Sequence, residues 1–123
     1  MNYEWVDGYL LSKPEVTKEF KEEWEWDRYL LKGKMISALC TDKNGKEILT
    51  LKCEPVFAKK LRSQYKDIIP GYYMNKVHWN SVYLEGEVSD EVIKNMIDHS
   101  YELVINKLSK KMQNAIKNGD KND

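Results

Sequence analysis

The stretch that decides the fold is Met35–Cys53, MISALCTDKNGKEILTLKC. Two apolar runs flank Asn44-Gly45. Asn-Gly is a strong hairpin signal, because both central positions of a type I′ turn need positive φ. With that turn, Lys43 lies opposite Lys46, Cys40 opposite Leu49 and Cys53 opposite Ile36. Opposed residues share a face, so one face carries Ile36, Ala38, Cys40, Leu49, Leu51 and Cys53, all apolar. The other carries Leu30, Met35, Ser37, Leu39, Ile48, Thr50 and Lys52. That second face is more apolar than a solvated face requires. It is expected to be covered by the N-terminal segment or the tail, or to form a homodimer or partner surface. In this register the cysteines are not neighbours across the strands, so no disulfide is expected between them.

Working outward, Lys32-Gly33 is expected to form the preceding turn and to set Tyr29 beside Ile36, making an antiparallel meander of at least three strands. Residues 17 to 26 set Phe20, Trp24 and Trp26 at alternating spacing with Glu22 on the same face and read as a further strand, while their run of Glu and Lys also suits a helix. Residues 2 to about 12 have helical spacing, with Gly8 weakening it. Glu54-Pro55 opens a helix whose buried side is Phe57, Ala58, Leu61 and Tyr65. Ile69-Pro70-Gly71-Tyr72 has the Pro-Gly order of a type II turn. Asn80 to Glu85 forms another strand, with Val82 and Leu84 inward.

Ser89 is a suitable N-cap, with Asp90 and Glu91 at the positive end of the helix dipole. The helix is expected to run to about Met112. Val92, Ile93, Met96, Ile97, Leu103, Val104 and Leu108 make its apolar stripe, with Ser100 in the middle. A small residue there lets the helix approach the sheet, and its hydroxyl can bond to the carbonyl one turn back. Asp98 and Glu102 fall on the solvent side, and His99 at the stripe's edge. The order α-β(3–4)-α-β(1–2)-α predicts a two-layer α+β domain, an antiparallel meander sheet with helices packed on one face. The domain spans residues 1–116, with a polar tail at 117–123.

The chain has 123 residues, 41% hydrophobic and 33% charged, which suits a single soluble domain rather than a disordered one. No stretch approaches the ~20 apolar residues of a membrane span. Met1 to Leu11 has no basic n-region, so no signal peptide is expected there. Two cysteines are too few for a disulfide framework or a cysteine zinc site, and reduced thiols in the cytoplasm are the expected state. Lys plus Arg and Asp plus Glu each number 20. The zero sum hides a segregation: residues 1–26 carry net −4, residues 27–85 net +5 and residues 86–123 net −1.

The basic middle also holds the segment with the most varied chemistry, Pro70-Gly-Tyr-Tyr-Met-Asn-Lys-Val-His-Trp-Asn80. Lys76 and the nearby Lys52, Lys59, Lys60 and Arg62 could neutralise phosphates, Tyr72, Tyr73 or Trp79 could stack on bases, and Asn75 or Asn80 could bond to base edges or phosphates, with the imidazole of His78 in the same segment. The plainer reading makes Trp79 a core plug and Asn75 and Asn80 ties that hold a loop. His78 and His99 have no carboxylate at a metal-ligand spacing, the thiols lie on an apolar face, and no Gly-rich phosphate loop is present. No catalytic residue, metal or cofactor is therefore expected.

The same segment and its flanks resemble the MmcQ/YjbR family of small bacterial proteins. The likeness runs through Leu51-Lys52-Cys53-Glu54-Pro55, Leu61-Arg62, Tyr65, Ile69-Pro70-Gly71-Tyr72, Asn75-Lys76, His78-Trp79-Asn80-Ser81-Val82 and Leu84-Glu85-Gly86. It ends at Asp98-His99-Ser100-Tyr101 and Leu103-Val104. Phe20 to Trp26 departs from it, lacking the Pro and Gly of the family's usual Phe-Pro-Phe-Gly-like stretch. The resemblance implies a CyaY-like α+β fold and a DNA-binding label, with no reaction or cofactor. Two functions are therefore expected to compete. One is a weak nucleic-acid-binding module using loop 70–80 and Lys52. The other is a small-molecule- or protein-binding regulator with that loop as one wall of a pocket. A structural or partner-binding role through the outer sheet face is a third.

Overall fold

The central hairpin closes one residue away from the expected register. In the computed structural model, which describes residues 4–118, β3 (Lys34–Thr41) pairs with β4 (Glu47–Lys52) so that Cys40 faces Ile48 and Ala38 faces Thr50. The expected type I′ turn is replaced by a three-residue loop. Gly45 N–H donates to the Asp42 carbonyl at 2.9 Å, and only Gly45, not Asn44, has positive φ (83°). This is a type I turn followed by a left-handed bulge residue. Asp42 is the cause: its Oδ1 accepts from the N–H groups of Asn44 (2.8 Å) and Lys46 (2.9 Å), an arrangement that a two-residue loop has no room for. The backbone N–H of Lys46 is the main reason the Asp42 carboxyl lies below the usual carboxylate range.

A one-residue slip exchanges the faces of one strand relative to the other. The two cysteines therefore lie on opposite faces, not on one shared apolar face. Ala38, Cys40, Ile48 and Thr50 face outward, while Leu49 and Leu51 face the helices with Ser37 and Leu39. The type I′ geometry occurs instead at Lys32 (φ 50°) and Gly33 (φ 83°), which join β2 (Trp26–Leu31) to β3. Leu30 faces Met35 as that turn requires, but Tyr29 faces Ser37 rather than Ile36, because Ile36 is the extra residue of a bulge.

The expected strand over 17–26 is split. β1 (Val16–Lys21) pairs with β2, and a turn at 22–25 with Glu25 at φ 57° leaves Trp24 exposed at its tip. The sheet has six antiparallel strands in the order β1-β2-β3-β4-β6-β5, with β5 Ile68–Pro70 and β6 Trp79–Tyr83. The inner face of Tyr29, Leu31, Ile36, Leu49, Leu51 and Val82 forms one core with the helices. These are α1 (Trp5–Ser12), α2 (Pro55–Gln64), α3 (Asp90–Ile105) and α4 (Lys110–Lys117). Helices on one face of an antiparallel sheet make the expected two-layer α+β fold.

The single long helix expected to reach Met112 is two helices. Ser109 caps α4 by accepting from Met112 N–H, and Gln113 Nε2 donates to the Leu108 carbonyl at 2.9 Å. Ile116 is thereby turned back into the core. Ser100 is buried as expected, but its hydroxyl donates to the Lys52 carbonyl at the end of β4 (2.5 Å), not to its own helix. Asp98 is not a free solvent-side carboxylate: it accepts from Tyr9 Oη (2.7 Å) and pairs with Lys13, which docks α1 onto α3. Of the expected tail, Lys117 closes α4 and residues 119–123 lie outside the described residues, as do residues 2 and 3 of the expected first helix.

Candidate functional site

The segment after β5 does not turn at Pro70-Gly71. Gly71 lacks positive φ, and its N–H still follows the sheet, donating to the Trp79 carbonyl at 2.7 Å. Glycine is required there for another reason: a Cβ would come within 2.7 Å of Trp79 Cβ. The chain then folds back over the outer sheet face. Tyr72 N–H donates to Ser81 Oγ (3.0 Å), Tyr73 Oη donates to the Thr41 carbonyl (3.0 Å), and Lys43 N–H donates to Tyr72 Oη (3.3 Å). Beneath it, Thr50 and Ser81 share a 2.7 Å hydroxyl pair at almost no exposure. Among the described residues it is this loop that covers that part of the outer face, and most of the expected tail lies outside them.

The seven residues proposed from sequence do not converge on one surface. Trp79 is 8% exposed and lies on the outer face opposite Lys52, whose Nζ sits 5.5 Å from its ring. Asn80 is fully buried on the helix side, accepting from Arg62 (2.7 Å) and donating to the Ala58 carbonyl (3.3 Å). Asn75 Oδ1 accepts from the N–H groups of Val77 and His78, a local turn. Lys76 clasps the loop by donating to the Gly71 carbonyl at 2.6 Å. His78 is exposed, and its backbone carbonyl accepts from Cys53 N–H. Burial lowers the Lys52 pKa, and the nearby charges of Lys107 and Lys34 lower it further.

What the folded-back loop does build is a cleft. Tyr73 and Met74 of the loop, Trp24 and Trp26, and Arg28 and Met35 of the outer face line it; its volume is about 620 Å³, a size suited to a small molecule. The rings run in series. Trp24 and Trp26 are 5.0 Å apart between centroids, Trp26 and Tyr73 5.6 Å with planes 39° apart, and Tyr73 meets Tyr72 edge-on at 4.7 Å. Trp24 is 53% and Tyr73 47% exposed, so both present ring surface to the opening. Arg28 pairs at 2.9 Å with Glu19, its direct neighbour across the strands, while its Nε is buried with no hydrogen-bond partner among the described residues. Lys21 Nζ lies 5.6 Å from the Trp24 ring centroid.

The cleft offers ring faces, two thioethers and a permanent cation. None of these side chains changes charge near neutral pH; burial raises the Tyr73 phenol further. The thiols lie outside its lining, and burial pushes both Cys40 and Cys53 up to about 11. The lining thus offers contact surface and one charge. Sequence patterning does not gather these residues, since they come from positions 24–28, 35, 41 and 73–74. The available signal is the run of large apolar residues, Trp26, Leu30 and Met35, on a face that the helices leave uncovered.

Comparison with known proteins agrees with the motif resemblance. A family model described as YjbR matches residues 11–103. The chain is 29% identical over 100 residues to the protein YjbR of Escherichia coli, covering 81% of this chain and 84% of that one. It is 35% identical over 95 residues to YbdF of Escherichia coli O157:H7, covering 77% of each. YyaQ of Bacillus subtilis is 29% identical over 117 positions, 76% of this chain and 98% of its own length. Among solved structures, Deinococcus radiodurans protein DR2400, with a DUF419 domain, superposes with a TM-score of 0.78 at 27% identity, covering 86% of this chain and 80% of that one. A Pseudomonas syringae protein shares the fold with a TM-score of 0.74 at 23% identity, over 84% of this chain and 98% of its own. The match over most of its length, from the N-terminal helix to the sheet-packed one, makes this chain a member of the YjbR family.

Proposed function

We propose that this protein is a non-catalytic binding module that holds a small aromatic molecule in the outer-face cleft. The observation that carries the reading is the aromatic wall of Trp24, Trp26 and Tyr73 around a space of about 620 Å³, with two of the rings half exposed. Exposed rings cost solvation and are offset when a ligand stacks on them. Loop 71–78 supplies one wall, with its own polar groups already engaged in holding its shape. Two free thiols support a reducing compartment, the cytoplasm, for this work. A thermal-shift screen of aromatic metabolites tests the reading, since a ligand for the native state raises the melting temperature. Hits are expected, and Trp24→Ala and Tyr73→Ala are expected to abolish their shifts. Shifts that survive both substitutions would rule out the cleft.

A second reading, weak nucleic-acid binding, is favoured by one observation. Burial lowers the Lys52 pKa first and the charges of Lys107 and Lys34 lower it further, so three lysines gather where a phosphate backbone could pair with them. A salt-dependent mobility shift with DNA and RNA, lost on combining Lys52→Ala with Lys34→Ala, is its expected signature. No binding at low salt would remove it.

A further inference from the structure

We propose that the cleft selects a planar aromatic monoanion, a flat ring carrying one carboxylate, which packs against the exposed rings of Trp24 and Tyr73 and pairs with the Arg28 guanidinium. This deepens the reading of the cleft as a binding site and rests on it.

The cation comes first. Arg28 sits among apolar groups with its side chain 24% exposed, and its Nε is buried without an acceptor among the described residues. A buried donor left unmade costs about 1–3 kcal/mol. A neutral ring filling the cleft would strip water from the exposed part of the guanidinium as well, without replacing its hydrogen bonds. A carboxylate can accept from the terminal nitrogens of the guanidinium that lines the cleft, in the planar geometry that suits arginine. Glu19, at 47% exposure, holds one terminal nitrogen, Nη2, from the rim and leaves the guanidinium with further donors.

The charge surrounding the opening sets the limit at one. The turn beside Trp24 carries Glu22, Glu23 and Glu25, all exposed, and Glu19 lies across from Arg28. Against these stand Arg28 and Lys21. A ligand bearing several negative charges, such as a nucleotide phosphate chain, meets net repulsion at this rim. A single carboxylate directed inward at Arg28 meets less of it.

Calorimetric titration with three probes tests the inference: naphthoate, the uncharged naphthylmethanol with the same ring system, and adenosine monophosphate. Naphthoate is expected to bind about ten-fold or more tightly than the alcohol, as one charge-assisted pair allows. Adenosine monophosphate is expected to bind more weakly than naphthoate. Arg28→Gln should bring naphthoate and the alcohol to equal affinity, and Glu19→Gln should strengthen naphthoate alone. Arg28→Lys, which keeps the charge without the fork, covers the case in which Arg28→Gln does not fold, and should retain only part of the preference. Equal affinities for naphthoate and the alcohol in the unaltered protein overturn the inference while leaving the cleft as an aromatic site. Adenosine monophosphate binding as tightly as naphthoate also overturns it. No binding of any probe overturns both readings.

Discussion

The Ser100 hydroxyl of α3 donates to the Lys52 carbonyl at the end of β4, 2.5 Å away, where the long helix meets the sheet. The contact joins the two layers at the last residue of the central hairpin. It explains a serine in the middle of an otherwise apolar stripe. Ser100→Ala leaves a buried carbonyl without its partner and should cost about 1–3 kcal/mol of unfolding free energy. Ser100→Leu should cost at least as much, by forcing α3 away from β4. Urea denaturation measures both; a neutral Ser100→Ala would mean that the carbonyl is satisfied without it.

Gly71 and Gly45 are required for different reasons, so their alanine variants separate clash from strain. At Gly45 the space is open but φ is +83°, and Gly45→Ala should cost about 1–2 kcal/mol. At Gly71 the backbone is ordinary but a Cβ meets Trp79 Cβ at 2.7 Å, and Gly71→Ala should cost about 1–3 kcal/mol through displacement of the loop. Only the second should change the fluorescence of the native state, because only it moves a tryptophan.

The account predicts a pH-dependent stability centred on His99. Its Nε2 accepts from the Glu54 backbone N–H at 3.0 Å, and burial holds its pKa below the ordinary 6.5. The unfolded chain therefore takes up a proton before the folded one does. The contribution is fully present above about 6.5 and is lost as pH falls from there through the folded value. Asp7 and Asp42, whose pKa values are lowered from 3.8, act in a separate window below that. His99→Gln should flatten the dependence between pH 5 and 7, an interval of the order of the histidine range. An unchanged slope would assign it to other groups.

Cys40 and Cys53 lie on opposite faces of the sheet, both buried, with thiols pushed up to about 11. Native protein near neutral pH should resist thiol reagents, and the two groups should react together on unfolding. Rapid labelling of one thiol in the folded state would show that its face is open.

The sequence made the layers legible, and its limits are local. Glu54-Pro55, Ser89 and Lys32-Gly33 each act on their nearest neighbours, and each begins or turns an element as its chemistry requires. Asn44-Gly45 marked a turn correctly and its type incorrectly, because Asp42 binds two backbone N–H groups and lengthens the loop by one residue. That single residue exchanged the faces of β3 relative to β4 and moved Ala38 and Cys40 to the outside. The cleft was illegible for the same reason. Arg28, Met35 and Tyr73 meet only when the register, the Ile36 bulge and the fold-back of loop 71–78 are all known. Trp79 and Asn80 drew attention by type, and it is burial that assigns them to the scaffold.

The four tryptophans allow the central claim to be read in one experiment. Trp24 and Trp26 line the cleft, while Trp5 packs with Tyr9 of α1 and Trp79 is buried beside Lys52. Indole N–H resonances followed by NMR during a naphthoate titration report each site separately. The account predicts saturable shifts of Trp24 and Trp26, with Trp5 and Trp79 still. Shifts at Trp79 or Trp5 with Trp24 and Trp26 unmoved would contradict it.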